Sequence, residues 1–278
     1  MREQLERALQ EATRLGDERK QAEVVHCIRK RIKKVRAVLR LLKKEIGREV
    51  FQEENRRLRE VAHSLAGARD AEVQLQTLAR LRDCAGLESD SFASLEAFLI
   101  EQQAEPEPGP GAHEAAIALL LSIHDRLQGW PLDEVSIKTL AGAFARTYRK
   151  GRRCFRYALD HRSAEILHRW RKHTKRVWYQ ARILQQLKRA VVCEISENAN
   201  TLGGHLGDLH DLTFLRAQLQ SGAEASAAEC DVVLGLICAR ERALEEIALD
   251  LGRRFYAEKP GAFERCLLRY ADGWPPNA

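Results

Sequence analysis

Aromatic side chains make up 6% of the 278 residues, so the chain offers few base-stacking platforms. No helix-turn-helix, ribonucleoprotein or zinc-finger signature accompanies them, which weighs against a dedicated nucleic-acid reader. No apolar run approaches the ~20 residues of a membrane span. The charged opening MREQLERALQ lacks the apolar stretch of a secretion signal. Nothing alternates with period two for long enough to propose a strand. The glycine-rich phosphate loop ending in Gly-Lys-Ser/Thr is absent, as is the His-Glu-x-x-His pair of zinc proteases. The seven cysteines are Cys27, Cys84, Cys154, Cys193, Cys230, Cys238 and Cys266. They are odd in number, scattered and without a C-x-x-C pair, which predicts buried free thiols in a reducing cytosol. These absences predict a soluble, cytoplasmic protein with no membrane partner, no cofactor and no protein-held metal.

What the chain does contain is a globular balance, 45% hydrophobic and 31% charged, large enough to bury a core. The net charge of +6 is modest, so its distribution matters more than its total. Between Val25 and Ile46 the apolar residues Val25, Ile28, Ile32, Val35, Leu39, Leu42 and Ile46 recur at alternating three- and four-residue steps. That is the seam of a core-facing helix. On another face of the same helix gather His26, Arg29, Lys30, Lys33, Arg36, Arg40 and Lys44, and no acid lies between His26 and Lys44. Like charges one turn apart repel by a few tenths of a kcal/mol each. A stripe of one sign therefore carries a cost that a polyanionic ligand offsets.

In chain order, helices are predicted over 1–15, 25–46, 48–83, 90–105, 113–128, 132–160, 163–192, 193–221 and 225–251. Gly67 is a weak point within the third, and Ser163 is the expected N-cap of the seventh. The segment EPEPGPG holds three prolines and breaks helix. It divides a first bundle, 1–105, from a second, 113–278, through a linker at 106–112. The helix 132–160 repeats the two-faced pattern. Leu140, Phe144, Thr147, Gly151, Cys154, Phe155 and Ala158 share one side, and Arg146, Arg149, Lys150, Arg153 and Arg156 the other. The fold class is all-α, with short connections implying antiparallel neighbours in bundles.

The chain also repeats itself. His26-x-x-Arg29-Lys30-x-x-Lys33-Lys34 aligns with His168-x-x-Arg171-Lys172-x-x-Lys175-Arg176, and Arg40 then falls on Arg182. At nearly the same offset LAGARDAEV, from Leu65, matches LGDLHDLTF, from Leu206, pairing Asp70 with Asp211. Each half thus carries a His/basic helix followed by a helix with a motif Asp. Two similar helical bundles related by a pseudo-twofold axis, with both basic stripes able to face one groove, follow from this repeat. In the second basic helix Ile166, Trp170, Val177, Ala181 and Leu184 form the apolar face, opposite His168, Arg171, Lys172, Lys175, Tyr179 and Arg182. Trp170 reads as core; Trp178 and Tyr179 are placed to flank a groove.

At VHCIRKRIKKVRAVLRLL, SLAGARDAEVQL, RTYRKGRRCFRYA, LHRWRKHTKRVWYQARIL and LGDLHDLTFL, in that order, the sequence resembles the CHAD family, the conserved-histidine α-helical domain. The resemblance implies paired four-helix bundles around a basic central cavity that binds inorganic polyphosphate. His26 and His168 match the family's histidines, whereas His210 stands where the first half has Arg69. Implied partners are polyphosphate and proteins of polyphosphate granules, with divalent cations only as counterions.

The candidate ligand-binding residues are therefore His26, Arg29, Lys30, Lys33, Arg36, Arg40, Arg146, Arg149, Lys150, Arg153, His168, Arg171, Lys172, Lys175 and Arg182. Two readings of the histidines stay open: donors to phosphate, or groups oriented by a carboxylate such as Asp70 or Asp211. The two aspartates read as structural, fixing His or Arg side chains between helices. Three functions are weighed: non-enzymatic capture of polyphosphate, general nucleic-acid or polyanion binding, and phosphohydrolysis or phosphotransfer. The last lacks both a phosphate loop and a carboxylate cluster for a metal, so binding without catalysis is the leading expectation.

Overall fold

The computed structural model describes residues 21–65, 68–88, 90–101, 112–127, 129–130, 135–185, 190–222 and 227–272. Among them ten helices and no strands occur: α1 (Gln21–Leu41), α2 (Arg48–Ser64), α3 (Ala68–Cys84), α4 (Ala93–Glu101), α5 (Ala112–Leu127), α6 (Ile137–Asp160), α7 (Ala164–Leu184), α8 (Ala190–Gly222), α9 (Ala227–Phe255) and α10 (Pro260–Asp272). The all-α expectation holds. The proposed helix over 1–15 and nearly all of the Pro-rich segment lie outside the described residues.

Two cores organise the packing. Of the expected seam, Ile28, Ile32, Val35 and Leu39 of α1 and Leu42 and Ile46 in the turn that follows it all bury, against Leu58 and Val61 of α2, Leu65 just after it, and Leu120 and Ile123 of α5. The helix expected to reach Ile46 ends at Leu41, and the side chain of Val25 lies outside the described residues. The larger core joins α6 to α10 around Phe144, Tyr148, Trp170, Val177, Leu215, Ile237 and Tyr256, and takes in Leu78, Leu95 and Leu99 from α3 and α4. Helices from both sides of the Pro-rich segment thus enter each core. Helix α1 bridges them. Its Leu41 belongs to the larger core, and Gln180 of α7, fully buried, donates from Nε2 to the Ala37 carbonyl at 3.3 Å.

Helix ends follow local chemistry. Ser163 caps α7 as expected, its hydroxyl accepting the Ile166 N–H at 3.4 Å, and Ser136 caps α6 in the same way through Thr139. The helix expected over 48–83 is two helices, with Leu65 a buried turn residue after the first. The Leu65 carbonyl accepts from Arg29 Nη1 at 3.3 Å, so a backbone acceptor freed by the break is satisfied from α1. Helix α7 ends at Leu184, short of the expected 192, and α9 runs on to Phe255. Helix α10, which the sequence reading lacked, opens on Pro260, a residue suited to the first helical position because its missing N–H has no partner there anyway.

An aromatic corner fixes α6 and α7. The Tyr148 ring stacks on Phe263 of α10 with centroids 4.0 Å apart, and its hydroxyl donates to the Glu258 carbonyl at 3.0 Å. Arg152 Nε donates to the Tyr256 carbonyl at 2.9 Å, while the Tyr256 hydroxyl meets Thr174 Oγ1 at 3.2 Å. Gly151 and Gly252 make the approach possible. A Cβ on the first would stand 2.4 Å from the Tyr256 hydroxyl, and one on the second 2.6 Å from the Phe155 ring and 2.7 Å from Trp170. The six described cysteines are free. Contrary to the expectation of buried thiols, only Cys230 of these six is fully buried, and Cys84, at the end of α3, and Cys266, on the outer side of α10, are exposed.

Candidate functional site

Cations collect where α1, α2, α6 and α7 meet. On α1, Arg36 Nε donates to Asn55 Oδ1 of α2 at 3.1 Å. Arg40 donates from Nη1 to the Arg36 carbonyl at 2.6 Å and from Nη2 to the same Asn55 oxygen at 3.4 Å. One amide therefore holds two guanidinium groups side by side, with Arg59 of α2 adding its charge to Arg36. Facing them from α7 is half-buried Arg176, whose Nη1 lies 3.5 Å from Nδ1 of His173. Lys150 and Arg153 of α6, both exposed, act on the His173 ring from the rim.

Burial, then Arg176, lowers the Arg36 guanidinium to about 10. The same causes in the same order bring Arg40 down to about 9. Desolvation depresses Arg176 as well. Among the described residues no carboxylate figures in the groups acting on these three arginines. Buried cations are ordinarily paired, because an unpaired charge in low dielectric costs several kcal/mol. Here guanidinium faces guanidinium, an arrangement that an anion would relieve.

A second cationic surface lies on another flank of α7, against α8. Arg171 and Lys175 run along backbone cleared by glycine: a Cβ on Gly203 would be 3.1 Å from Lys175 Cδ and Cε, and one on Gly207 3.3 Å from Arg171 Nη2. Burial first, then Arg171, pulls the Lys175 ammonium below its ordinary value, with Asp208 opposing. Lys175 Nζ stands 4.4 Å from the Trp178 ring centroid, and the Arg182 guanidinium 5.5 Å from it, both within cation–π range. Trp170, by contrast, is wholly buried. His168 stacks on His210 at 4.2 Å, and burial, then His210, lowers it to about 4. It lines a small cavity of about 120 Å³ together with Thr213, Arg216, Glu241 and Glu245.

The remaining candidates are dispersed. Lys30, Lys33, Arg146, Arg149, Lys172 and Arg182 are exposed. Arg29 serves the Leu65 carbonyl. His26 lies in α1 and Asp70 in α3, with side chains outside the described residues. Asp211 is half-buried, 4.0 Å from Arg80 Nη2 of α3, and Arg80 Nη1 reaches Asp208 at 3.2 Å. Positions paired by the repeat differ in surroundings: Arg40 is enclosed beside Asn55, whereas Arg182 is exposed over Trp178.

The structure thus joins Arg36, Arg40, Lys150 and Arg153 of the expected set, and adds Arg59, His173 and Arg176. Arg176 stood in the repeat motif, and that was its signal. His173 had none, because it sits off the projected stripe, and Arg59 had none, because its helix carries no stripe of one sign. Among the described residues no group of three or more His, Cys, Asp or Glu side chains could hold a metal ion, and no helix is long and apolar enough to cross a membrane.

The molecule is an all-α protein that brings Arg36, Arg40 and Arg176 together between helices and leaves many of its other cations on exposed faces. The family model described as the CHAD domain matches residues 1–220, and the chain belongs to that family. No curated protein and no solved structure matches it. The match spans α1 to α8 and stops before α9 and α10.

Proposed function

We propose that this protein captures inorganic polyphosphate, without chemical turnover, at the cation cluster between α1, α2, α6 and α7. CHAD domains in general bind polyphosphate. The observation that carries the reading for this chain is the meeting of Arg36, Arg40 and Arg176, all three depressed by burial and the first two also by Arg176, with no carboxylate of the described residues among the groups acting on them. Forked guanidinium donors match phosphate oxygens, and the exposed Lys150 and Arg153 supply mobile charge at the entrance. The gathered groups stabilise negative charge but bring no carboxylate to hold a metal or position a water for hydrolysis, so the activity is capture. Association with polyphosphate granules in the cytoplasm, where granule proteins are further partners, follows as the setting in which such capture is useful.

Binding by several cations displaces counterions, so log affinity falls steeply and linearly with log salt, as for nucleic acids. Adjacent contacts on one chain share a single immobilisation cost, which favours long polyphosphate over short. The test is a competition titration. Labelled long-chain polyphosphate, bound at near-physiological salt, is challenged separately with short polyphosphate, duplex DNA and single-stranded RNA. Long polyphosphate is expected to compete best, and Arg176→Ala to weaken binding at least about tenfold, the loss of one or two charge-assisted hydrogen bonds, with the helical circular dichroism unchanged. Equal competition by DNA or RNA per phosphate would replace this reading with general polyanion binding.

A further inference from the structure

The cluster contains one titratable ring to which polyphosphate capture by arginine and lysine assigns no part. His173 sits among Arg176 on its own helix, Lys150 and Arg153 of α6, and Arg40 of α1. Behind these stand Arg36 of α1 and Arg59 of α2, and Cys154 of α6 with Arg169 of α7 beside Arg176. Helix α8 meets the other flank of α7, where Arg171 and Lys175 lie against Gly207 and Gly203. No carboxylate of the described residues is among the groups acting on the ring.

The contact with Arg176 favours one form of the ring. A guanidinium only donates, so its 3.5 Å approach from Arg176 Nη1 to Nδ1 is favourable only when Nδ1 presents its lone pair, as in the neutral ring. At that length the contact is long, readily surrendered to a better acceptor. A phosphate oxygen is such an acceptor. Once Arg176 turns to it, Nδ1 is released, and the charge that dominates the ring's surroundings changes sign.

We propose that His173 is a proton-coupled polyphosphate-binding residue: neutral and an acceptor for Arg176 in the free protein, it takes up a proton and becomes a donor to phosphate in the complex. The proposal rests on the polyphosphate reading above. In the free protein burial first, then Arg176, Lys150, Arg153 and Arg40, hold the ring at about 4, so it is neutral throughout the physiological range. Phosphate entering among those cations offsets their repulsion, and its own negative charge beside the ring counters the burial, which together bring the ring back toward its ordinary value of about 6.5. The complex then binds more protons than the free protein, and affinity rises on acidification. Between pH 7.5 and 5.5 a ring restored to that value strengthens binding about tenfold. The internal phosphates of a long chain stay ionised across this interval, so the ligand itself contributes little to the change.

The experiment measures the affinity of long-chain polyphosphate at pH 7.5, 6.5 and 5.5 and constant salt, for the natural protein, His173→Gln and His168→Gln. Calorimetry of the natural protein in two buffers of different ionisation enthalpy at pH 6 counts protons directly. The expected result is the tenfold gain in the natural protein and His168→Gln, a change under about twofold in His173→Gln, and uptake of most of one proton in the calorimeter. Should His173→Gln not fold, His173→Asn takes its place, and the proton count still decides. Binding with no proton uptake, or a pH response that His173→Gln retains in full, overturns the role of His173 and leaves polyphosphate capture standing. Absence of binding at every pH overturns both.

Discussion

Replacing Arg40 by methionine should make the free protein more stable while weakening its hold on polyphosphate. Arg40 is brought from the ordinary guanidinium value down to about 9, by burial first and then by Arg176 and Arg36. At 1.36 kcal/mol per pKa unit, keeping it charged costs about 5 kcal/mol as an upper bound. Against this stand two hydrogen bonds. One, at 2.6 Å, goes to the Arg36 carbonyl, which lies inside α1 and accepts its helical bond regardless. The other, at 3.4 Å, goes to Asn55 Oδ1, which keeps Arg36 Nε as a donor at 3.1 Å. The substitution therefore orphans no acceptor, and the bonds return roughly 2–4 kcal/mol together. Methionine retains most of the buried stem. The net gain is roughly 1–3 kcal/mol, read as a higher midpoint in urea with an unchanged slope. A salt series separates the cause. Added salt should stabilise the natural protein more than Arg40→Met, because it screens a repulsion that the variant lacks. A variant less stable than the natural protein at low salt, or an identical salt response, would refute the view that cation crowding is a stored cost.

Two other outcomes follow from the same geometry. Gly252→Ala should lower stability by roughly 1–3 kcal/mol, because the added Cβ would sit 2.6 Å from the Phe155 ring and 2.7 Å from Trp170. Gly204→Ala, with nothing within 4 Å of its Cβ, should instead gain up to about 1 kcal/mol from helix propensity, and parallel thermal melts of the two variants check the contrast. Stability should also fall on acidification between about pH 6.5 and 4. His168 and His173 are each lowered to about 4 in the fold, so over that interval the unfolded chain binds more protons and is favoured. Urea titrations at pH 7, 5.5 and 4.5 measure the slope, and His173→Gln should flatten it.

The seam of α1 was legible because alternating three- and four-residue spacing admits one burial face, and Ile28, Ile32, Val35, Leu39, Leu42 and Ile46 are all buried. The same projection placed the second basic face around His168, Arg171 and Lys175, which lies against α8. It could not place His173 and Arg176, since a helix covered by α1 on one flank and α8 on another has two functional edges, and one stripe describes only one of them. Arg59 and Asn55 were hidden differently. Helix α2 mixes both signs, REVFQEENRRLREVAHS, so its contribution depends on which side chains turn toward α1, a tertiary property. The break at Leu65 had a local signal in Gly67. Its counterpart in the repeat, Leu206, lies within the unbroken α8, so homology between the halves argued for continuity where the backbone turns.

The aromatic corner bears on how freely this architecture could be borrowed. Residues matched by the family carry every cation of the cluster, yet the wedge that seats α6 against α7 comes from Tyr256 and Phe263, beyond residue 220. A graft of the matched segment onto another protein would transfer the charges and leave behind the keystone. It would expose the Tyr148, Phe155 and Trp170 faces that Gly252, Tyr256 and Phe263 cover, making the transplant sticky before it was useful. The segment matched by the family and the unit that buries its aromatic faces differ here by two helices, and a transfer that respects only the first would leave apolar surface open to aggregation.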